Sequence, residues 1–221
     1  MVIASELISD KLSPLRSSDS VEAALEFLCN QGVSELPVLD KKSLYNYARL
    51  ERLSLETNKS QTLGKCMAYN PHSAAVLESQ HLYEIVPTMA SHELSVLAVV
   101  DRNGEFQGII DQKDINRQIS ASMTYRGQGA VIVLRCSDRD FAPSQIARWV
   151  EENGAKILGL MINQTEPGFY QVNVKLNTTV AGAISATLRR QGYEIVGTYL
   201  AEDQRPEDDR AYDSVFKFFD L

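Results

Sequence analysis

Two stretches of the 221-residue chain repeat one another at a fixed spacing, and that periodicity limits the available folds more than any other feature. Setting Asp40 against Asp101 gives an offset of 61 residues, which holds without a gap back through the preceding helical pattern. Val21 then falls on Leu82, Ala24 on Ile85, Leu25 on Val86 and Leu28 on Met89, the spacing of one apolar helix face in each copy. Leu36 falls on Leu97, Val38 on Val99 and Leu39 on Val100, residues suited to a buried strand. Past the turn, one extra residue in "DRNGE" moves the offset to 62, so that Leu53 pairs with Ile115. Gly104 gives that turn a residue able to take positive φ. Each unit therefore reads helix, strand, strand, helix over about 60 residues. One unit alone leaves its apolar face open, so the two are expected to pack as one domain over residues 1–122, with repeat one ending near 62 and repeat two starting near 63.

The helix ends carry their own signals. Asp19 followed by Glu22 predicts an N-terminal capping pair, and Gly32 predicts the C-terminal stop. Pro87 falls inside the equivalent helix of the second copy, where it removes a backbone hydrogen bond and predicts a kink.

A polar stretch with two glycines, "INRQISASMTYRGQG", precedes a restart of the pattern, and residues 123–129 read as a linker. "AVIVLRCS" predicts a strand, and "APSQIARWVEENG" an amphipathic helix with Pro143 in its first turn and Gly154 at its end. "KILGLMINQ" and "GFYQVNVKLN" predict strands joined around Pro167 and Gly168. "TTVAGAISATLRRQG" predicts a helix ending at Gly192, and "YEIVGTYLA" a fourth strand. The order βαββαβ over 130–203 implies two helices on a ferredoxin-like antiparallel sheet. In 204–221, Tyr212, Val215, Phe216 and Phe219 stand at helical spacing and predict a terminal amphipathic helix. The fold class is α+β.

The net charge of -7 disfavours nucleic acid as a partner, because such affinity rests on a basic footprint. No basic leader with a long apolar run opens the chain, and no stretch approaches the roughly 18 apolar residues of a membrane span. Cys29, Cys66 and Cys136 are odd in number and scattered, which fits a reducing compartment, so a cytoplasmic location is expected. His72, His81 and His92 fit no compact metal motif. Phosphate loops, GxGxxG and HExxH are absent from the sequence. Phe169 and Tyr170 are adjacent and must point to opposite faces of a strand, which argues against an RNA-stacking platform. Neither Cys29 nor Cys136 has the neighbours of a nucleophile, and no catalytic constellation emerges.

The patterns "DSVEAALEFLCNQGVSELPVLD" and "VLAVVDRNGEFQGIIDQKDI" resemble the CBS domain, which occurs as tandem pairs related by a pseudo-twofold axis; the likeness covers residues 1 to about 122. It implies clefts between the repeats that hold an adenosine-containing ligand, such as AMP, ADP, ATP or S-adenosylmethionine. In that family the last strand leads into Ser or Thr, two residues, then an Asp that binds the ribose hydroxyls. In the second copy those positions are Asp111 and Asp114, which suit a nucleoside better than a triphosphate. In the first copy they are Arg49 and Arg52, which cannot accept a hydrogen bond. Those arginines either clamp an anion, pair with Asp111 and Asp114 across the pseudo-twofold axis, or form ordinary surface. Asp114 is equally suited to helix capping, and Pro37 stands where the family places a residue beside the base.

The βαββαβ order similarly resembles the ACT domain, a regulatory module that binds amino acids and pairs sheets side by side. Ser144 stands where that family usually has a glycine, so the module either binds an amino acid or serves only assembly. A CBS pair followed by an ACT-like domain is similar in architecture to the bacterial acetoin-utilisation regulatory proteins. The resemblance implies a non-catalytic homodimeric sensor acting on an unidentified protein target. A ligand-free dimeric scaffold and an enzyme with its site assembled between subunits stand as alternatives.

Overall fold

A computed structural model describes residues 2–200 and divides the chain into two units, one ending at Ser120 and one beginning at Ala121. The expected terminal helix over 204–221 lies outside the described residues.

In the first unit, β1 (Leu15–Arg16), α1 (Val21–Gln31), β2 (Glu35–Asp40), β3 (Ser43–Arg49) and α2 (Leu50–Ser54) form repeat one. After α3 (Leu63–Cys66), repeat two runs through β4 (Ala75–Leu77), α4 (Leu82–Ser91), β5 (Val96–Val100), β6 (Phe106–Asp111) and α5 (Gln112–Ser120). Each repeat carries a three-stranded sheet, ordered β1-β2-β3 and β4-β5-β6, with its first pair parallel and its second antiparallel.

The sequence repeat is a structural repeat down to its irregularities. The β2–β3 ladder shifts register between Val38 and Leu39, and the β5–β6 ladder between Val99 and Val100, at equivalent positions. The extra residue in the second turn is absorbed by Gly104 at φ 79°, while Lys41 turns the shorter first loop at φ 55°. Equivalent residues are buried alike: Leu36 with Leu97, Val38 with Val99, Ala24 with Ile85, Leu28 with Met89, and Leu53 with Ile115. Two apolar clusters follow, one per repeat, and Tyr47 packs against both.

The helix ends refine the sequence expectations. Gly32 closes α1 in the left-handed conformation, φ 64°, as its lack of a Cβ permits. The N-cap is Ser20, whose hydroxyl accepts from the Ala23 N–H at 3.2 Å. The Asp19 carboxylate, expected there, instead accepts from the Arg16 N–H at 2.7 Å. One residue nearer the helix, the shorter serine side chain reaches the first-turn amides. Helix α4 runs continuously through Pro87, whose side chain is exposed. The carbonyl deprived of its donor is that of Tyr83, an exposed residue in the first turn where water can take the place of the lost amide.

The second unit opens with α6 (Met123–Arg126), a short helix where the sequence suggested a linker; Thr124 Oγ1 donates to the Leu158 carbonyl at 3.1 Å and ties it down. It continues as β7 (Val131–Ser137), α7 (Pro143–Glu152), β8 (Ile157–Glu166), β9 (Phe169–Leu176), α8 (Gly182–Arg190) and β10 (Glu194–Tyr199). The sheet is antiparallel with strand order β10-β7-β9-β8. Ile132, Leu134, Val172, Val174 and Leu176 alternate inward and meet Ile146 and Val150 of α7 and Ile184 and Leu188 of α8, both i,i+4 pairs. Phe169 and Tyr170 diverge as their adjacency requires: the Arg135 guanidinium lies 4.1 Å from the Phe169 ring centroid, and Tyr170 packs edge-on against Phe141.

Candidate functional site

The two β-hairpins of the first unit are superimposable in sequence, so the residues in which they differ define what each cleft can do. At the 62-residue offset, β3 carries Tyr45, Asn46 and Tyr47 where β6 carries Gln107, Gly108 and Ile109.

In repeat one, those three side chains stitch the segment 67–74 onto β3. The Tyr45 hydroxyl donates to the Met67 carbonyl at 3.1 Å, and Asn46 Nδ2 donates to the Ala68 carbonyl at 2.8 Å. The Tyr47 hydroxyl donates to the Ala74 carbonyl and accepts from the Ala98 N–H of repeat two, each at 2.8 Å. Tyr45 also meets Tyr69 with ring centroids 5.7 Å apart. Burial of Tyr47 pushes its phenol well above the ordinary range, although the Ala98 N–H works in the opposite sense. Pro37 is buried in β2 directly across from Tyr47, so that tyrosine covers the face where a ligand base was expected. Arg49 ends β3 and donates to the His92 carbonyl at 2.9 Å. Arg52 lies in the exposed first turns of α2.

In repeat two, the segment against β6 comes from the N-terminus and is held by main chain. Ile8 bridges to Ile110, and the Ser9 N–H donates to the Ile109 carbonyl at 2.8 Å. The Ile8 side chain lies on Gly108, in space that a Cβ would occupy. Beside it is a cavity of about 290 Å³ whose charged wall is Glu6, Asp10, Lys11, Asp114 and Arg117.

The aspartates divide their duties. Asp111 accepts from the Lys113 N–H at 2.8 Å and so performs the helix-capping role. Asp114 faces the cavity from the first turn of α5, where it is ion-paired with Arg117 one turn on. The cross-axis pairs anticipated between Arg49 or Arg52 and these aspartates are not formed, because Arg49 reaches a carbonyl and Asp114 finds a nearer partner on its own helix. Of the five residues singled out in the sequence, only Asp114 lines this cavity. The Tyr45–Asn46–Tyr47 stitch and the wall from Glu6 to Lys11 were missed. The stitch had a signal: three consecutive replacements at the repeat offset, with Asn46 standing for a glycine and Tyr47 for an isoleucine.

The second unit has a cavity of about 570 Å³ at the carboxyl end of β7, walled by Arg135, Ser137, Arg139, Asp140, Gln145 and Glu194. Arg135 is spent within the protein, 2.9 Å from Glu166 and 3.3 Å from Glu194. Cys136 is buried there; burial first, and the nearby Asp140 second, hold its thiol above the usual range. Ser144, the second residue of α7, lies outside this wall. Among the described residues, no helix is long and apolar enough to cross a membrane, and no group of His, Cys, Asp and Glu is placed to hold a metal.

Residues 66–121 match the family model of the CBS domain, which is repeat two as described above. Among solved structures, the chain is similar to the CBS domains of a transcriptional regulator from Streptococcus pneumoniae, at 18% identity over 53% of this chain and 98% of that one, TM-score 0.47. It is similar to a CBS domain pair/ACT domain protein from Thermotoga maritima, at 15% identity over 53% and 96%, TM-score 0.49. It is also similar to the CBS-pair protein CBSX2 from Arabidopsis thaliana, at 23% identity over 53% and 94%, TM-score 0.45, a protein also solved in complex with AMP. No curated protein matches the chain.

Proposed function

We propose that the chain is a non-catalytic regulatory protein whose first unit is a CBS pair with one working ligand cleft, that of repeat two. The observation that carries this is the asymmetry between the clefts. Tyr45, Asn46 and Tyr47 close the first with side-chain hydrogen bonds, whereas in the second the Ile8 side chain lies on Gly108 and a cavity lined by Asp114 remains beside it. An ionised carboxylate there accepts from both hydroxyls of a ribose, a charge-assisted pairing. Glu6, Asp10 and Asp114 outnumber Lys11 and Arg117 on the cavity wall, so the wall supplies no excess of positive charge for a polyphosphate. The ligand class is therefore an adenosine-type nucleoside or a derivative without a strongly anionic tail. The second unit is an ACT-type module that serves dimerisation or regulation, and the working protein is a homodimer.

The test is thermal unfolding with adenosine, S-adenosylmethionine, AMP, ADP and ATP, on the native chain and Asp114→Asn. At about a hundred times its dissociation constant, a ligand adds roughly 2.7 kcal/mol. A shift with adenosine or S-adenosylmethionine that is lost in the variant supports the proposal; a shift with ATP alone, or one that Asp114→Asn keeps, refutes it.

A second reading rests on the Asp114–Arg117 pair, which already engages the carboxylate. On that reading both clefts are closed and the chain is a ligand-free interaction scaffold, and every compound in the panel leaves the melting temperature unchanged.

A further inference from the structure

A third cavity in the first unit lies apart from both clefts. It encloses about 530 Å³ between the start of β2 in repeat one and α4 and α5 of repeat two. Val86, Met89, Leu94, Ile115 and Ile119 make it apolar on one side. Glu35 lies on the other, a carboxylate only 5% exposed where the equivalent position in repeat two is Val96.

Glu35 is half satisfied. Its Oε1 accepts both donors of Ser95, the N–H at 2.5 Å and the hydroxyl at 2.8 Å. Among the described residues, none donates to Oε2. The cation best placed to neutralise it is Arg49, its cross-strand partner in the β2–β3 ladder, yet that guanidinium is turned to the His92 carbonyl. The other charged group on the cavity wall is Glu93, also an acid, held at the end of α4 with φ 52°. A buried carboxylate needs hydrogen-bond partners or an opposing charge, and here the oxygen without a protein donor is reached from a cavity with apolar residues in its wall.

We propose that this cavity binds a small organic cation, an ammonium or amidinium on an aliphatic or aromatic body. The charged head donates to Glu35 Oε2, and the body lies against Met89, Ile115 and Ile119. Gln112 and Asn116 stand on the rim within the same wall and offer polar contacts at the entrance. This cavity is separate from the proposed adenosine site, because α5 presents Gln112, Ile115, Asn116 and Ile119 to it and Asp114 and Arg117 to the other.

Isothermal titration of the full chain with butylammonium, cadaverine, agmatine and benzamidinium tests it, with butanol and butyrate as uncharged and anionic controls. At least one cation is expected to bind while both controls do not. Glu35→Gln keeps an acceptor for both Ser95 donors and should weaken that cation roughly tenfold to a hundredfold, the worth of a hydrogen bond to a charged group. Asn116→Lys, at an exposed helical position on the rim, brings a competing ammonium and should also suppress binding without touching Glu35. Asp114→Asn should leave the cation affinity unchanged. Failure of every cation to bind, equal affinity for butanol, or full affinity in Glu35→Gln would overturn the assignment. A concentration-dependent dimer that is lost in Glu35→Gln, with no response to the cations, would assign the carboxylate to a second copy instead and overturn it equally.

Discussion

Tyr47 joins the two repeats through a single hydroxyl, donating to one backbone group and accepting from another. Tyr47→Phe leaves the buried Ala98 N–H without its partner, which costs about 1–3 kcal/mol; urea unfolding should show a loss of that size. Because burial raises the folded-state value of this phenol above the unfolded value of about 10, folding favours the neutral form. Its contribution is complete below about pH 10 and is lost as pH rises through the raised folded value. The native chain should therefore lose stability more steeply above about pH 10 than Tyr47→Phe does; parallel curves would contradict this. Arg117 holds Asp114 from an exposed position, so its removal should cost under about 0.5 kcal/mol of stability. If the ribose competes for the same carboxylate, Arg117→Ala should tighten adenosine binding about twofold, and weaker binding would show that Arg117 itself contacts the ligand.

At the scale of elements, Gly108 decides whether the N-terminal segment can lie along β6. Gly108→Val puts side-chain atoms into the space of Ile8 and should release residues 6–11 while leaving the hairpin folded, so hydrogen exchange at the Ser9 amide accelerates while that at β5 amides stays slow. The hairpins, the helix faces and their burial were legible in the sequence because Leu36 and Leu97, or Leu28 and Met89, answer to one periodicity in each repeat. Helix ends were legible to within a residue, Gly32 fully and Asp19 not, since Ser20 and Asp19 both carry a capping oxygen and only the backbone path selects one. Of the residues that line the candidate cavity, only Asp114 was legible in the sequence. Arg49 and Arg52 drew notice as charges, but the residues that act in that cleft are Tyr45, Asn46 and Tyr47, whose partners are backbone carbonyls of 67–74 that no side-chain pattern announces. Glu35 escaped notice for a related reason: it opens a buried strand, and the donors that hold it come from Ser95, 60 positions away.

For the whole molecule, the first unit is one duplicated fold whose two clefts are filled differently. Repeat one fills its cleft with internal hydrogen bonds, whereas repeat two keeps a cavity of about 290 Å³ with Asp114 on its wall. A ligand that prefers one conformation of such a pair shifts its population by its differential affinity and no more. The second unit, with its antiparallel order β10-β7-β9-β8 and β8 at one edge, offers a strand for pairing between copies. Sedimentation of the full chain is accordingly expected to give a dimer, and a monomer at micromolar concentration would remove the assembly role from that unit. A single working cleft per chain is tested by the stoichiometry of adenosine or S-adenosylmethionine binding in titration calorimetry. One site per chain, lost in Asp114→Asn and kept in Arg52→Ala, is the predicted result. Two sites per chain, or one site that survives Asp114→Asn, would contradict it.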